Sequence, residues 1–114
     1  MRRQLGQLRP STTSAEVLFN PTENKPYIID LILLTNVSGV GVTVSIYHDR
    51  DGTTYTDDTI VFGPYTMHSK ESYLFSPKRG LSDFLASGNI AIKTSTANSV
   101  NSTAYGEIEG ETLT

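Results

Sequence analysis

From Val40 the chain alternates strictly. Val40, Val42, Val44 and Ile46 stand between Gly41, Thr43, Ser45 and Tyr47, the period of two that a half-buried strand requires. Just before it, Pro26 to Leu34 is a long apolar run, and Thr35-Asn36-Val37-Ser38-Gly39 supplies a tight polar turn between the two strands. Under strict alternation Ile29, Leu31 and Leu33 share one face of the first strand, while Ile28, Asp30, Ile32 and Leu34 share the other. Both faces are mostly apolar, whereas a sandwich strand is expected to have a polar outside. The pattern therefore predicts a cover over Ile28, Ile32 and Leu34, with Asp30 either partnered within it or at a wet rim.

The same grammar repeats along the chain. Ala15 to Asn20 reads as a short strand closed by Asn20-Pro21, and the segment from Pro21 to Pro26 as a rigid polar turn. Asp49-Arg50-Asp51-Gly52 is a turn signal, followed by a strand from Thr59 to Phe62 that Gly63-Pro64 breaks. Ser69 to Phe75 alternates around Tyr73 and Phe75. Lys78 to Gly88 is the one stretch with helical spacing, at Leu81, Phe84 and Leu85, and its shortness predicts a single turn or plug. Asn89 to Thr96 places Ile90 and Ile92 inward, Ala97-Asn98-Ser99 turns, and Val100 to Ile108 closes the series. Seven to eight short strands with almost no helix predict an all-β fold, a single antiparallel β-sandwich or jelly roll.

Residues 1–14, rich in Arg, Gln, Ser and Thr, lack sustained periodicity and read as an extended N-terminal arm ahead of a β-sandwich domain at 15–114. A length of 114 residues with 37% hydrophobic content supports one modest core. The absence of Cys removes disulfides, thiolate metal sites and cysteine nucleophiles. The basic start has no apolar stretch behind it and no run reaches the ~18 apolar residues of a membrane span, so a chain made in the cytoplasm, with no membrane partner, is expected. Net charge is −3, with Arg2, Arg3 and Arg9 at one end and Glu107, Glu109 and Glu111 at the other. That polarity suits head-to-tail contact between copies, and the acidic balance argues against nucleic acid as a partner.

Chemistry-bearing clusters are sparse. Asp49, Asp51 and Gly52 with Asp57 and Asp58 are the only group of oxygens spaced closely enough for calcium. The glycine comes too early for a helix-loop-helix site, however, and hairpin aspartates capping backbone amides explain the cluster as well. His48 and His68 are the only imidazoles; Ser45, Ser69 and Asp49 lie near them without the contexts that hydrolytic triads use. No enzyme, catalytic residue, metal or cofactor is expected. Tyr47, Tyr55 and Tyr65, near loop ends, are candidates for stacking on a saccharide.

The order of features resembles small β-sandwich virion proteins of tailed bacteriophages. The residues that carry it are Val17-Leu18-Phe19-Asn20, the Pro turn, Tyr27 to Asn36, Val42 to Tyr47, Leu85 to Ile90, and Ala104 to Gly110 with its Gly106-x-Ile108-x-Gly110 close. It covers roughly residues 15–110. The resemblance implies a virion component, foremost a capsid decoration or cement protein on the outer head surface, with a tail, adaptor or fibre-associated receptor- or glycan-binding module as the alternative. Implied partners are further copies of the chain, as a trimer, and the major capsid protein or other virion proteins. The residues expected at such contacts are Arg2, Arg3, Leu5, Leu8 and Arg9 of the arm, with Ile28, Asp30, Ile32 and Leu34 of the apolar strand.

Overall fold

A computed structural model of the chain describes residues 3–21, 26–50, 52, 54–77, 80–83 and 88–108. The strands are β1 (Arg3–Leu8), β2 (Glu16–Phe19), β3 (Tyr27–Asn36), β4 (Val42–Asp49), β5 (Ile60–Met67), β6 (Ser72–Phe75), β7 (Leu81–Asp83), β8 (Asn89–Thr94) and β9 (Val100–Ile108). All pair antiparallel in two sheets. One has the order β1-β9-β3-β6, with β7 continuing the β6 side of β3, and the other has the order β2-β8-β4-β5. Counting β6 and β7 as one interrupted strand leaves eight, paired first with last, second with seventh, third with sixth and fourth with fifth. This nesting is a folded-over hairpin, the jelly roll, and it realises the expected all-β sandwich.

The nesting explains why the polar turn after β3 does not make a hairpin. β3 and β4 lie in different sheets, so residues 37–41 carry the chain across the sandwich. Asn36 organises that crossing. Its Nδ2 donates to the carbonyls of Val40 (2.8 Å), His68 (3.0 Å) and Met67 (3.3 Å), while its Oδ1 accepts from the Ser38 amide (3.0 Å) and hydroxyl (2.7 Å). One buried side chain thus ties the β3–β4 crossing to the β5–β6 turn.

Ile29, Ile32 and Leu34 from one sheet meet Val42, Val44, Ile46, Ile90 and Ile92 from the other, all enclosed. At roughly 1.5–3 kcal/mol for each large aliphatic side chain removed from water, this layer dominates the stability. Met67, Val100 and Ala104 extend it, and Leu5, Leu8, Phe62, Tyr65, Tyr73, Phe75 and Ile108 pack around its margin.

Four expectations are corrected. Residues 3–8 are not part of a free arm: they pair with β9 from Arg3↔Gly106 to Leu8↔Ser102, and Leu5 and Leu8 pack on the core. An extra residue at Leu5 slips this register, so no clean period appears in the sequence. Second, β3 also contains a bulge. Ile29 faces Gly106 and Leu31 faces Tyr105, leaving Asp30 as the additional residue. The alternation reverses there, so Tyr27, Ile29, Ile32, Leu34 and Asn36 face inward and Ile28, Leu31, Leu33 and Thr35 face outward. Ile32 and Leu34 are core, not contact surface. Third, β5 runs through Gly63-Pro64 to Met67, which an edge strand tolerates because one side needs no ladder bonds. Fourth, Leu81 to Asp83, read as part of a helical turn, forms a strand against Tyr27 to Ile29; residues 84–87 of that segment lie outside the described residues.

Candidate functional site

The bulge in β3 determines what the β1-β9-β3-β6 sheet shows to the outside. Leu31 stands opposite Tyr105, and Leu33 is flanked by Thr103 on β9 and Leu74 on β6. Leu74 is 59% exposed, and Leu31, Leu33 and Tyr105 are half-buried outside the core cluster. Ile28 extends the row beside Gly80, whose φ of +74° and lack of a Cβ leave room for the isoleucine side chain. An apolar row therefore crosses the middle of an outer face. Its flank toward β1 is polar: Gln4 Nε2 donates to Gln7 Oε1 (3.2 Å), and Arg9 Nε donates to Asn101 Oδ1 (2.6 Å).

Of the expected contact residues, Ile28 lies in this row and Asp30 at the bulge beside it, half-buried. Leu31, Leu33, Leu74 and Tyr105 were not anticipated, since strict alternation assigns the first two to the wrong side of the sheet. Arg9, just after β1, borders the face; Arg3 shares the register of Gly106 and Ile29 on the core side of the sheet, where Leu5 and Leu8 also pack; and Arg2 lies outside the described residues. Of the charges read as opposite poles, Arg3 and Glu107 lie on neighbouring strands, because Arg3 pairs with Gly106 and Glu107 follows on β9; Glu109 and Glu111 lie outside the described residues.

At the open side of the sandwich between β5 and β6, four rings close the gap. Phe62 lies 5.1 Å from Tyr73, 5.0 Å from Phe75 and 5.7 Å from Tyr65, and Tyr65 lies 5.0 Å from Tyr73. The Tyr65 hydroxyl donates to Glu71 Oε2 (2.6 Å), and Glu71 Oε1 accepts from the His68 amide (2.7 Å). The Tyr65 bond, with the His68 amide behind it, lowers the Glu71 pKa, and the same bond raises that of Tyr65.

The candidate chemistry disperses. Asp49 Oδ2 accepts from the Thr54 amide (2.6 Å), a turn cap; Asp57 and Asp58 are exposed, Asp51 lies outside the described residues, and no three acidic or imidazole side chains gather among the described ones. Ser45 and His48 point to opposite faces of β4: Ser45 faces outward, whereas His48 Nε2 meets the Tyr27 hydroxyl of the other sheet at 3.0 Å. Tyr47 and Tyr55 meet edge to face with ring centroids 6.0 Å apart, and the Tyr55 hydroxyl donates to Asn89 Oδ1 (2.9 Å), but Tyr65 belongs to the ring cluster, so the three tyrosines do not form one platform.

The outer face of the β2-β8-β4-β5 sheet is hollow. The β1–β2 loop, held where Glu16 Oε2 accepts from the Thr12 amide and hydroxyl (both 2.9 Å), rises on one side, and the β4–β5 loop rises on the other. Between them lies a groove of about 480 Å³ over the outward residues of β4.

No family model and no curated protein matches the sequence. Among solved structures, the chain is similar to one in "Structure of infectious bursal disease virus Gx strain", with a TM-score of 0.49 and 16% identity over 98% of this chain. This chain spans about a third of that one's length, the aligned part covering 31% of it. The fold assignment rests on the strand order.

Proposed function

We propose that this chain is a non-enzymatic structural protein of a tailed-phage virion, acting as a head decoration protein that binds the outer shell and bridges capsomers. The observation that carries the reading is the apolar row Leu31, Leu33, Leu74, Tyr105 and Ile28 on an outer sheet face that a free sandwich would keep polar. Its occupants in this reading are further copies of the chain, as a trimer, and the major capsid protein. The mechanism is mechanical: many modest contacts, repeated over a symmetric shell, add up through multivalency and resist outward pressure. The jelly-roll order supports the reading because capsid domains commonly use it, and lectins use it too. An adaptor or tail component would use the same face at a different copy number.

The test is the solution mass of the purified chain by light scattering, beside Leu33→Asp and Leu74→Asp, together with copy number in purified particles. A defined oligomer that both substitutions dissociate without lowering Tm, and a copy number matching the capsomers, are expected. A monomer at all concentrations that also fails to join particles overturns the proposal.

A further inference from the structure

Two hydroxyls floor the groove over β4. Ser45 and Tyr47 are only 7% and 6% exposed, although they point away from the core, because the two loops wall them in. Neither hydroxyl has a hydrogen-bond partner among the described residues, and neither oxygen is sealed from the groove. A hydroxyl that is unbonded within the protein but open to a groove takes its partner from water or from a ligand. Two of them, two residues apart on one strand, form a built polar floor.

The surroundings narrow the ligand class. Lys93 stands opposite Ser45 in the strand register, and Asp57 enters from the β4–β5 loop, so the exposed rim of the groove offers one cationic donor and one anionic acceptor with no net charge. That balance disfavours a phosphate or another simple anion. Ile60 and Pro64 line the same groove and supply an apolar wall. Hydroxyls that both donate and accept, flanked by one cation, one carboxylate and an apolar wall, match a ring with adjacent hydroxyl groups on its rim and a C–H face. The volume lies within the range of small-ligand pockets.

We infer that the outer face of the β2-β8-β4-β5 sheet is a binding site for a neutral pyranose unit, with Ser45 and Tyr47 as its floor and Lys93 and Asp57 as its polar walls. The site lies on the opposite sheet from the apolar row, so it is independent of the assembly reading.

The experiment is a two-dimensional amide NMR titration of the intact chain with methyl glycosides of glucose, galactose and mannose, with glycerol and inorganic phosphate as separate controls. Saturable shifts centred on Ser45, Tyr47 and Lys93, with at least one pyranoside and without glycerol, are expected. Tyr47→Phe and Ser45→Ala remove one hydroxyl each and should weaken binding about tenfold while the spectrum stays dispersed. Three results overturn the inference: no saturable pyranoside shift, equal shifts with glycerol, or saturation by phosphate alone. Unchanged binding in both variants, when each is folded, overturns it too. Leu33→Asp should bind the sugar like wild type, which separates failure here from failure of the assembly proposal.

Discussion

Replacing Asn36 by Ala removes a side chain that is fully buried and makes bonds in five directions. The losses are unequal. The Val40 carbonyl keeps the Ser38 hydroxyl at 3.0 Å, so it costs little. The Met67 carbonyl loses a donor in a buried setting, at about 1–1.5 kcal/mol, whereas the part-buried His68 carbonyl keeps the Glu71 amide at 3.1 Å; that loss and the loss of an acceptor by the half-exposed Ser38 groups cost about 0.5 kcal/mol each. The total is about 2 kcal/mol, or roughly 8–12 °C in Tm for a domain of this size. Asn36→Asp is the sharper variant. It keeps the shape but aims a carboxylate at three carbonyl oxygens, which costs at least about 1 kcal/mol beyond Ala at neutral pH. Burial and those carbonyls raise the folded pKa of the introduced carboxyl, so its protonated form is favoured in the fold. Stability of this variant is therefore recovered below the unfolded carboxyl pKa and lost as pH rises through the raised folded value. Urea unfolding followed by tyrosine fluorescence and circular dichroism measures both, since the chain has no Trp. A cost for Ala below about 1 kcal/mol, or equal stability of the Ala and Asp variants at pH 7, would refute the assignment of Asn36 as the clamp.

The Tyr65–Glu71 bond predicts both flanks of the pH–stability profile. Its Glu71 contribution is complete above the ordinary carboxyl value of 4.5 and lost as pH falls through the lowered folded value, and its Tyr65 contribution is complete below 10.0 and lost as pH rises above it. Tyr65→Phe should flatten both flanks relative to wild type in thermal melts across pH, and unchanged flanks would count against the bond. Gly63→Ala should cost about 2–3 kcal/mol in urea titrations, because φ is +93° and the new Cβ would lie 2.5 Å from the Val44 carbonyl oxygen. Deleting residues 1–8 should abolish the cooperative melt rather than merely dissociate an oligomer, since it strips β1 from β9 and removes Leu5 and Leu8; a stable truncated monomer would contradict that. Ile32→Ala should cost roughly 2–5 kcal/mol as an enclosed cavity and leave self-association intact in the folded fraction, the reverse of Leu33→Asp.

Most of the strand grammar was legible. Val100 to Ile108 matches β9 residue for residue, and Val42, Val44 and Ile46 are inward as their alternation predicts. What escaped was set by tertiary registration. A bulge is one extra residue placed by pairing with a neighbour, so the reversal at Asp30 leaves no trace in an apolar run where either face looks buried. That single residue changes the candidate surface from Ile32 and Leu34 to Leu31 and Leu33. β1 was hidden for the same reason, and its Gln and Arg side chains look like those of a solvated tail until β9 is beside them. Of the apolar row, Ile28 alone is among the contacts expected from the sequence; of the groove residues, the sequence singles out Tyr47 for saccharide stacking and Asp57 for calcium. Ser45 gains its meaning only from two distant loops that wall it in, which no local pattern encodes.

The position of β9 has a kinetic consequence. It lies between β1 and β3, so the first-formed parts of that sheet cannot close on each other, and the Ser102 hydroxyl bonds the Leu8 carbonyl across 94 residues of sequence. Closing so long a loop is entropically expensive before any contact rewards it, which places folding in the slow, high-contact-order regime of milliseconds to seconds. Until β9 inserts, β1 and β3 each present an unpaired edge, and such edges capture other chains. Refolding yield should therefore fall as protein concentration rises even while the native state stays stable. A synthetic peptide spanning Val100 to Ile108 should compete for the same slot.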